Sequence, residues 1–160
     1  MSNSILMKFY SINLFPLNYK LMKKTKKRLF PNGIRFQCQR SGKCCRSRGS
    51  YSYIYFSLTD RQRLAMHLKL STLSITRRFM KKTEGLYHLK QPDKRCPFLT
   101  ASGCSIYEAR PNQCITWPFW AENMNEKVWE EEIVPFCKGI GKGRLYSPEE
   151  ITALIRLNKY

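Results

Sequence analysis

The sequence predicts a small single domain of the α+β class, with short strands, three or four helices and an irregular cysteine-rich half organised around metal. Three observations carry this prediction. A chain of 160 residues with 42% apolar content can build one hydrophobic core and lies well away from the composition of disordered chains. Short segments of strand and helix character alternate before the second cysteine block. Seven cysteines fall into two blocks.

The first 30 residues are expected to form a basic N-terminal extension. Residues 1–30 contain no acidic residue and end in a lysine-rich run, 22-MKKTKKRLF-30. We expect this extension to be disordered, or partly an artefact of the start site if translation begins at Met22. A membrane-surface anchor is the alternative, since apolar residues precede the lysines. Residues 31–160 are then predicted to be a cysteine-cluster metal-binding domain.

One strand and one helix are predicted directly after the first cysteine block. The segment 51-YSYIYFSL-58 is rich in aromatic and β-branched residues, which is typical of a strand. Thr59 and Gln62 fit a capping box at the start of the following helix. This helix is predicted to run to about Lys69.

A second helix and a second strand are predicted next. Ser71 or Ser74 is expected to cap the helix, which would continue through Met80 and stop near Gly85. The short segment 86-LYHLK-90 then has strand character. These two helices and two strands form the regular part of the predicted domain.

The second half is predicted to be irregular, with a few short elements between its cysteines, prolines and tryptophans. One helical turn is expected at residues 106–109, and a strand near 117-WPFW-120. Ser147 and Glu150 form a capping box, with a proline in the first turn. They predict a final helix from residue 148 to about residue 158.

Positive charge is concentrated in the first part of the chain. Residues 1–95 hold 22 Lys and Arg against 3 acidic residues, whereas residues 96–160 hold 7 against 8, so the net charges are +19 and −1. This asymmetry attracts polyanions, so nucleic acid, an anionic membrane face or an acidic protein is a candidate partner of the basic half. A plainly solvated basic surface gives the same pattern, so both interpretations stay open.

The sequence also bears on the cellular location. The first 22 residues lack a signal-peptide pattern, and no run of about 18 apolar residues predicts a transmembrane segment. The expected location is therefore cytoplasmic. Thiols stay reduced there, and clustered cysteines bind metal more often than they form disulfides.

The cysteines are the predicted metal ligands. Thiolates bind zinc and the irons of iron–sulfur clusters, and one ion or cluster usually takes four. In extended backbone the adjacent Cys44 and Cys45 would point to opposite faces, toward different atoms of a cluster or two separate sites, unless one is a buried core cysteine. His67 and His88 are less favoured, because an isolated histidine is more often a satisfied core or surface residue. The predicted ligands are Cys38, Cys44, Cys45, Cys96, Cys104, Cys114 and Cys137.

Five short motifs follow one another from residue 36 onward: FQCQRSGKCC at 36–45, CPFL at 96–99, GCSIYEARPNQC at 103–114, WPF at 117–119 and CKGIGKG at 137–143. In this combination they resemble the YkgJ family of cysteine-cluster proteins, which is described as a zinc- or iron-chelating domain. The resemblance implies an iron–sulfur cluster or zinc held by the cysteines. One branch of the family is similar to protein-lysine N-methylases.

Two positions depart from the family's pattern. The first motif usually reads Cys-x-x-Cys-Gly-x-Cys-Cys, and Ser41 stands at its second cysteine position. The resemblance then implies three thiolates completed by water or the Ser41 oxygen, or a site that has decayed. Ile115 stands where similar proteins often carry arginine. Arg110 remains as a candidate anion contact, or it forms a salt bridge with Glu108 or caps backbone carbonyls.

The functional hypothesis is a cytosolic bacterial metal-binding cysteine-cluster protein, iron–sulfur or zinc, with an electron-transfer or redox role. A zinc-stabilised, non-enzymatic binding module for RNA or an acidic partner is the first alternative. A relative of the protein-lysine N-methylases is the second, although the chain carries no methyl-donor motif of its own. Whether the protein is an enzyme stays open.

Overall fold

The computed structural model describes residues 30–46, 53–91 and 95–158. The predicted N-terminal extension, with its alternative start at Met22, lies almost wholly outside these ranges. Helices and short antiparallel strand pairs make up the described part, which confirms the α+β class. None of its helices is both long and apolar enough to cross a lipid bilayer.

The first and last described strands pair with each other. β1 (Ile34–Phe36) lies antiparallel to β6 (Ile140–Tyr146), with Phe36 opposite Ile140. The backbone segment that follows β1 therefore lies beside the segment that precedes β6. This two-stranded ribbon brings together parts of the chain that are about a hundred residues apart.

Helix α1 (Leu58–Leu68) begins at a capping box. The Ser57 hydroxyl accepts a hydrogen bond from the Asp60 backbone N–H at 3.1 Å, and the Asp60 carboxylate accepts one from the Ser57 N–H at 3.0 Å. The predicted helix is confirmed. The predicted capping pair of Thr59 and Gln62 is wrong, because Ser57 and Asp60 offer the same spacing two residues earlier.

Helix α2 (Thr72–Phe79) begins at Ser71, one of its two predicted caps. The Ser71 hydroxyl accepts a hydrogen bond from the Ser74 N–H at 3.1 Å. Ile75 is the buried residue of this helix. The helix ends before Met80, so the predicted continuation is wrong.

A β-hairpin follows α2 where the sequence predicts the end of a helix. β2 (Met80–Thr83) pairs antiparallel with β3 (Leu86–Leu89), which confirms the strand predicted at residues 86–90. Glu84 and Gly85 both have positive φ. This is the conformation that a two-residue hairpin turn requires, and it explains why the helix does not reach Gly85.

Two predicted strands are not strands in the structure. Residues 53–57 lie extended beside β3, where the Phe56 N–H donates to the Tyr87 carbonyl at 2.9 Å, but they do not form a regular strand. Residues 51–52 of the same prediction lie outside the described ranges. Residues 117–120 form a turn, because Pro118 has no N–H to donate to a neighbouring strand.

The second half consists of short elements joined by turns. The helical turn predicted at residues 106–109 is present at Tyr107–Ala109, and the predicted final helix is confirmed as α6 (Pro148–Leu157). A π turn at Trp129–Ile133 lies just before Pro135, which lacks the N–H that a regular helix would use. The remaining elements are β4 (Leu99–Thr100), β5 (Gly103–Cys104), α3 (Asn112–Thr116), α4 (Glu126–Val128) and α5 (Val134–Phe136).

Two hydrophobic cores hold these elements. The helical core packs α1, α2 and the hairpin against the segment that leads to α3, and the ribbon core packs β1 against α6 and the π turn. Full burial of one Leu, Ile or Phe contributes about 1.5–3 kcal/mol. The helical core contains Phe56, Leu64, Ala65, Ile75, Met80, Leu89, Cys96, Phe98, Ile106 and Ala109. The ribbon core contains Ile34, Phe36, Phe119, Trp129, Ile133 and Ile151.

Candidate metal centre

All seven cysteines line one cavity of about 60 Å³, called here the thiol cavity. Cys96 belongs to the helical core, and Cys45 and Cys104 pack against it. Cys38 and Cys137 pack against the ribbon core. The cavity therefore lies where the two cores meet. The structure brings every predicted ligand to one place, while their role as ligands stays a prediction.

The β1–β6 pairing positions Cys38 and Cys137. Cys38 follows β1 and Cys137 precedes β6, so both lie at the same end of the ribbon. The Gln37 N–H donates to the Gly139 carbonyl at 3.1 Å. A Cβ at Gly139 would collide with the Gln37 carbonyl and lie 2.8 Å from the Phe36 ring. Glycine therefore permits the close approach of the two cysteine-bearing segments.

Cys44 and Cys45 lie in a 3₁₀ turn at Lys43–Cys45, not in extended backbone. Gly42 precedes this turn with φ of 70°, in the left-handed region that glycine adopts without strain. The expectation that the two side chains point to opposite faces is wrong, because their thiols hydrogen-bond to each other. That hydrogen bond, followed by burial, raises the pKa of Cys44 well above its usual value.

Cys96 and Cys104 are joined to the first cysteine block through the backbone. The Cys96 N–H donates to the Cys45 carbonyl at 2.8 Å, and Cys104 lies in β5 opposite Leu99 of β4. Burial, and then the nearby thiols of Cys104 and Cys44, raise the pKa of Cys96 to about 11. Burial is also the main reason that the pKa of Cys104 is raised.

Cys114 lies in α3, and a buried carboxylate holds the start of that helix. The fully buried Asp60 accepts a hydrogen bond from the Asn112 N–H at 3.0 Å and forms an ion pair with Arg63 at 2.5 Å. Arg63 also donates to the Arg110 carbonyl at 2.6 Å. Burial raises the pKa of the Cys114 thiol well above its usual value. Asp60 therefore ties α1 to the segment that presents Cys114.

Nothing in the sequence pattern singles out Asp60 as part of this site. The Ser-x-x-Asp spacing of Ser57 and Asp60 marks a helix start, which is a purely local signal. The bond from Asn112 to Asp60 spans 52 residues along the chain. Only the fold shows that one carboxylate serves both the cap of α1 and the start of α3.

The raised pKa values mean that these thiols keep their protons at neutral pH. The thiolate, not the thiol, is the metal ligand and the nucleophile. Metal that binds in the cavity must therefore displace protons, which couples binding to pH. As a donor set, cysteine sulfur fits soft or borderline metals such as zinc and the irons of iron–sulfur clusters.

Basic side chains line the thiol cavity. The guanidinium groups of Arg40 and Arg110 lie over the Tyr107 ring, 4.2 and 3.5 Å from its centroid. The Arg110 Nε donates to the Tyr107 carbonyl at 2.6 Å, so of the roles that the sequence left open for Arg110 the structure shows carbonyl capping. Its positive charge also opposes the rise in the pKa of three thiols, those of Cys44, Cys104 and Cys114. Lys43 and Lys138 also line the cavity, and no acidic side chain is among the described lining residues.

Ser41 lines the thiol cavity, whereas neither histidine does. His88 is buried, bonds to the Thr83 hydroxyl and the Leu89 carbonyl at 3.0 Å each, and stacks on Tyr53. It is a satisfied core residue, as the sequence favours, and His67 is exposed on α1. Within the described ranges, no three Cys, His, Asp or Glu side chains are already arranged to hold one metal ion.

The comparisons with known proteins agree with this site. A family model described as "CxxCxxCC: Putative zinc- or iron-chelating domain" matches residues 37–137. An uncharacterized protein of Methanocaldococcus jannaschii is 27% identical over 132 residues, which cover 78% of this chain and 69% of that protein. No solved structure matches the chain. Because the family match spans more than half of the chain and includes all seven cysteines, the chain belongs to this family, the YkgJ-type cysteine-cluster proteins.

Proposed function

We propose that this metal-binding cysteine domain holds an iron–sulfur cluster in the thiol cavity and serves electron transfer. The observation that carries the proposal is that seven thiols surround one cavity at the junction of the two cores. One zinc ion and one cluster each usually take four thiolates, so the number of thiols does not decide between them. The irons of a cluster accept thiolates at separate corners, which suits thiols that surround a cavity and, among the described residues, are not grouped around one point. The contact between Cys44 and Cys45 does not discriminate between zinc and an iron–sulfur cluster, because neighbouring thiols can be ligands of either.

Loading would draw the thiols inward from the cavity wall. Each of the two cores contributes cysteines, so a bound metal would connect them covalently through its ligands. Ser41 lines the same cavity, and a serine hydroxyl is a poorer ligand at neutral pH than a thiolate. Changing Ser41→Cys is therefore expected to make metal retention tighter during dialysis against a chelator. Unchanged retention would show that position 41 takes no part in binding.

The test is anaerobic purification followed by metal analysis, sulfide analysis and an optical spectrum of the same sample. Iron with acid-labile sulfide and broad visible absorption would support the cluster, and its reduction potential would be measured next. Colourless protein with about one zinc per chain would replace the cluster with a structural zinc site. Protein purified without iron, zinc or any other transition metal would overturn the proposal.

A second candidate function is binding of a polyanion such as RNA. Four basic residues at the end of α2 and in β2 are exposed and close in sequence: Arg77, Arg78, Lys81 and Lys82. Such a surface should bind RNA with an affinity that falls steeply as salt rises, because counterions are released from the phosphates. A filter-binding titration between about 50 and 200 mM salt tests this. Affinity that is absent at the lower salt concentration would remove this candidate.

A further inference from the structure

A larger cavity of about 240 Å³ adjoins the thiol cavity. The two cavities share five lining residues, so they are separated by one layer of side chains: Cys44, Ile54, Cys114, Trp117 and Phe136. Two of the seven cysteines thus border both cavities. At about 240 Å³ the larger cavity lies somewhat below the volume of drug-sized binding sites, which suits a small ligand.

Aromatic rings form much of the wall of this larger cavity. The rings of Trp117 and Trp120 meet edge to face at 4.8 Å, and Trp117 meets Phe136 at 6.0 Å. The Trp120 Nε1 donates to the Gln113 carbonyl at 3.0 Å, which fixes the orientation of the indole. Tyr53 also lines the cavity and stacks on the buried His88. These rings are held in place before any ligand arrives.

Some polar side chains of the wall are already engaged by the protein. The Gln113 side chain accepts a hydrogen bond from the Tyr55 N–H at 2.7 Å and donates to the Tyr53 carbonyl at 3.2 Å. The Asn123 side chain donates to the Pro118 carbonyl at 2.8 Å. These two amides therefore serve to hold the wall, and they are not the groups that would recognise a ligand.

Among the described lining residues, the charges of the two cavities have opposite signs. The thiol cavity is lined by four cations and no carboxylate, whereas Glu122 and Glu132 line the larger cavity together with Arg46 as its one cation among the described residues. Neither glutamate has an ion-pair partner in the described ranges. The whole chain carries a net charge of +18 and only 11 acidic residues. Two carboxylates beside one aromatic cavity are therefore unusual for this strongly basic protein.

We propose that the larger cavity binds a small organic cation whose ammonium group lies against the tryptophan rings and near Glu122 and Glu132. The face of an indole ring attracts a cation through its quadrupole, and desolvation in a cavity strengthens this attraction. The carboxylates supply the opposite charge. The site does not depend on which metal fills the thiol cavity, but its ligand would lie one side-chain layer from Cys44 and Cys114.

The first test is calorimetric titration of the purified full-length protein with choline. The matched probe is 3,3-dimethyl-1-butanol, which has the same shape without the charge. At about 0.15 M salt the Debye length is about 8 Å, so long-range repulsion from the basic surface is screened. Choline is expected to bind about tenfold more tightly than the neutral probe. Equal binding of the two probes, or binding of neither, would overturn the proposal.

Variants then assign the binding to this cavity. Trp120→Leu is expected to weaken choline binding about tenfold, and Glu122→Gln with Glu132→Gln about threefold to fivefold. Arg46→Gln should tighten binding, because it removes the cation of the cavity. Glu130→Gln is the matched control, since Glu130 lies in the same π turn as Glu132 but does not line the cavity.

Circular dichroism and metal content, compared with the unchanged protein, separate loss of the site from loss of the fold. Folded variants with normal metal content and the expected order of affinities would support the cation site. Folded Trp120→Leu and double-glutamine variants that bind choline as tightly as the unchanged protein would show that choline binds elsewhere. If Trp120→Leu does not fold, the variant with Glu122→Gln and Glu132→Gln provides the test. Both carboxylates are exposed, so these changes should leave the fold intact.

Discussion

The helical core and the ribbon core differ in how their residues are arranged along the chain. Buried residues of the helical core lie between residues 56 and 109, and much of the core comes from two adjacent helices and a hairpin. The ribbon core instead joins residues 34 and 36 to residues 119–151. Closing so long a loop costs more conformational entropy than forming local contacts.

This difference indicates what the cysteines contribute. Three of them lie in or against the helical core and two against the ribbon core, with all seven around the cavity between the cores. A bound metal would therefore hold the ribbon core, whose contacts are distant in sequence, against the helical core, whose contacts are mostly local. On this interpretation the ribbon core depends on metal more than the helical core does.

The largest expected effect comes from removing a thiol on the ribbon side. Changing Cys137→Ala should lower metal content and reduce the free energy of unfolding by several kcal/mol, on the order of the contribution of structural metals. Metal analysis and thermal unfolding measure the two quantities. Hydrogen exchange should show that amides of β1 and β6 lose protection before those of α1. Equal loss in both cores would contradict the comparison, and exposed Ile115→Ala is the control.

A second, smaller effect is expected at Asp60. Changing Asp60→Ala leaves the partly buried Arg63 without its ion-pair partner and the Asn112 N–H without its acceptor. The expected loss is about 3–5 kcal/mol in the free energy of unfolding, measured by urea titration. Thr59→Ala, at an exposed position in the same helical turn, is the control and should cost little. Similar midpoints for the two variants would show that the Asp60 contacts do not tie α1 to α3.

Asp60 also illustrates which parts of the structure local sequence patterns can predict. Local signals predict the helices α1, α2 and α6, because capping residues such as Ser71 and Ser147 act on backbone groups three residues away. Local signals give a wrong prediction where another local structure, such as a tight turn, is more stable than the predicted helix. The hairpin after α2 replaces predicted helix because Glu84 and Gly85 form a tight turn.

The candidate site could be predicted only as a set of residue types. Seven thiols in two blocks indicate metal, and the structure places them around one cavity. Their arrangement follows from contacts that no local pattern encodes, such as the bond from Cys96 to the Cys45 carbonyl. The expectation of extended backbone at Cys44 and Cys45 is wrong because Gly42 starts a 3₁₀ turn.

A third prediction concerns the contact that closes the ribbon. Changing Gly139→Ala would place a Cβ against the Gln37 carbonyl and the Phe36 ring. Overpacking of this kind costs about 1–3 kcal/mol. The midpoint of thermal unfolding should fall, and metal should dissociate faster because Cys38 and Cys137 separate. Lys142→Ala, at an exposed position of β6, should leave both quantities nearly unchanged. Fast metal loss in the lysine variant as well would assign the effect to β6 as a whole.

The smallest effect is expected at the far end of the ribbon, where exposed Arg144 donates to Glu150 at 2.7 Å. This hydrogen bond, with that from the Ser147 N–H, lowers the pKa of Glu150. A lowered folded-state pKa contributes stability that is fully present above the unfolded pKa of about 4.3 and is lost as pH falls through the folded value.

Glu150→Gln keeps an acceptor for the Ser147 N–H but removes the charge. The unchanged protein should therefore unfold at a slightly higher temperature than this variant near pH 7, and the difference should shrink below about pH 4. Taking the difference between the two proteins at each pH cancels the protonation of the thiols, which both share. A difference that grows toward low pH would contradict the assignment of this ion pair. Because the pair lies on the surface, away from both cavities, its loss should leave metal content unchanged, whereas Gly139→Ala at the other end should not.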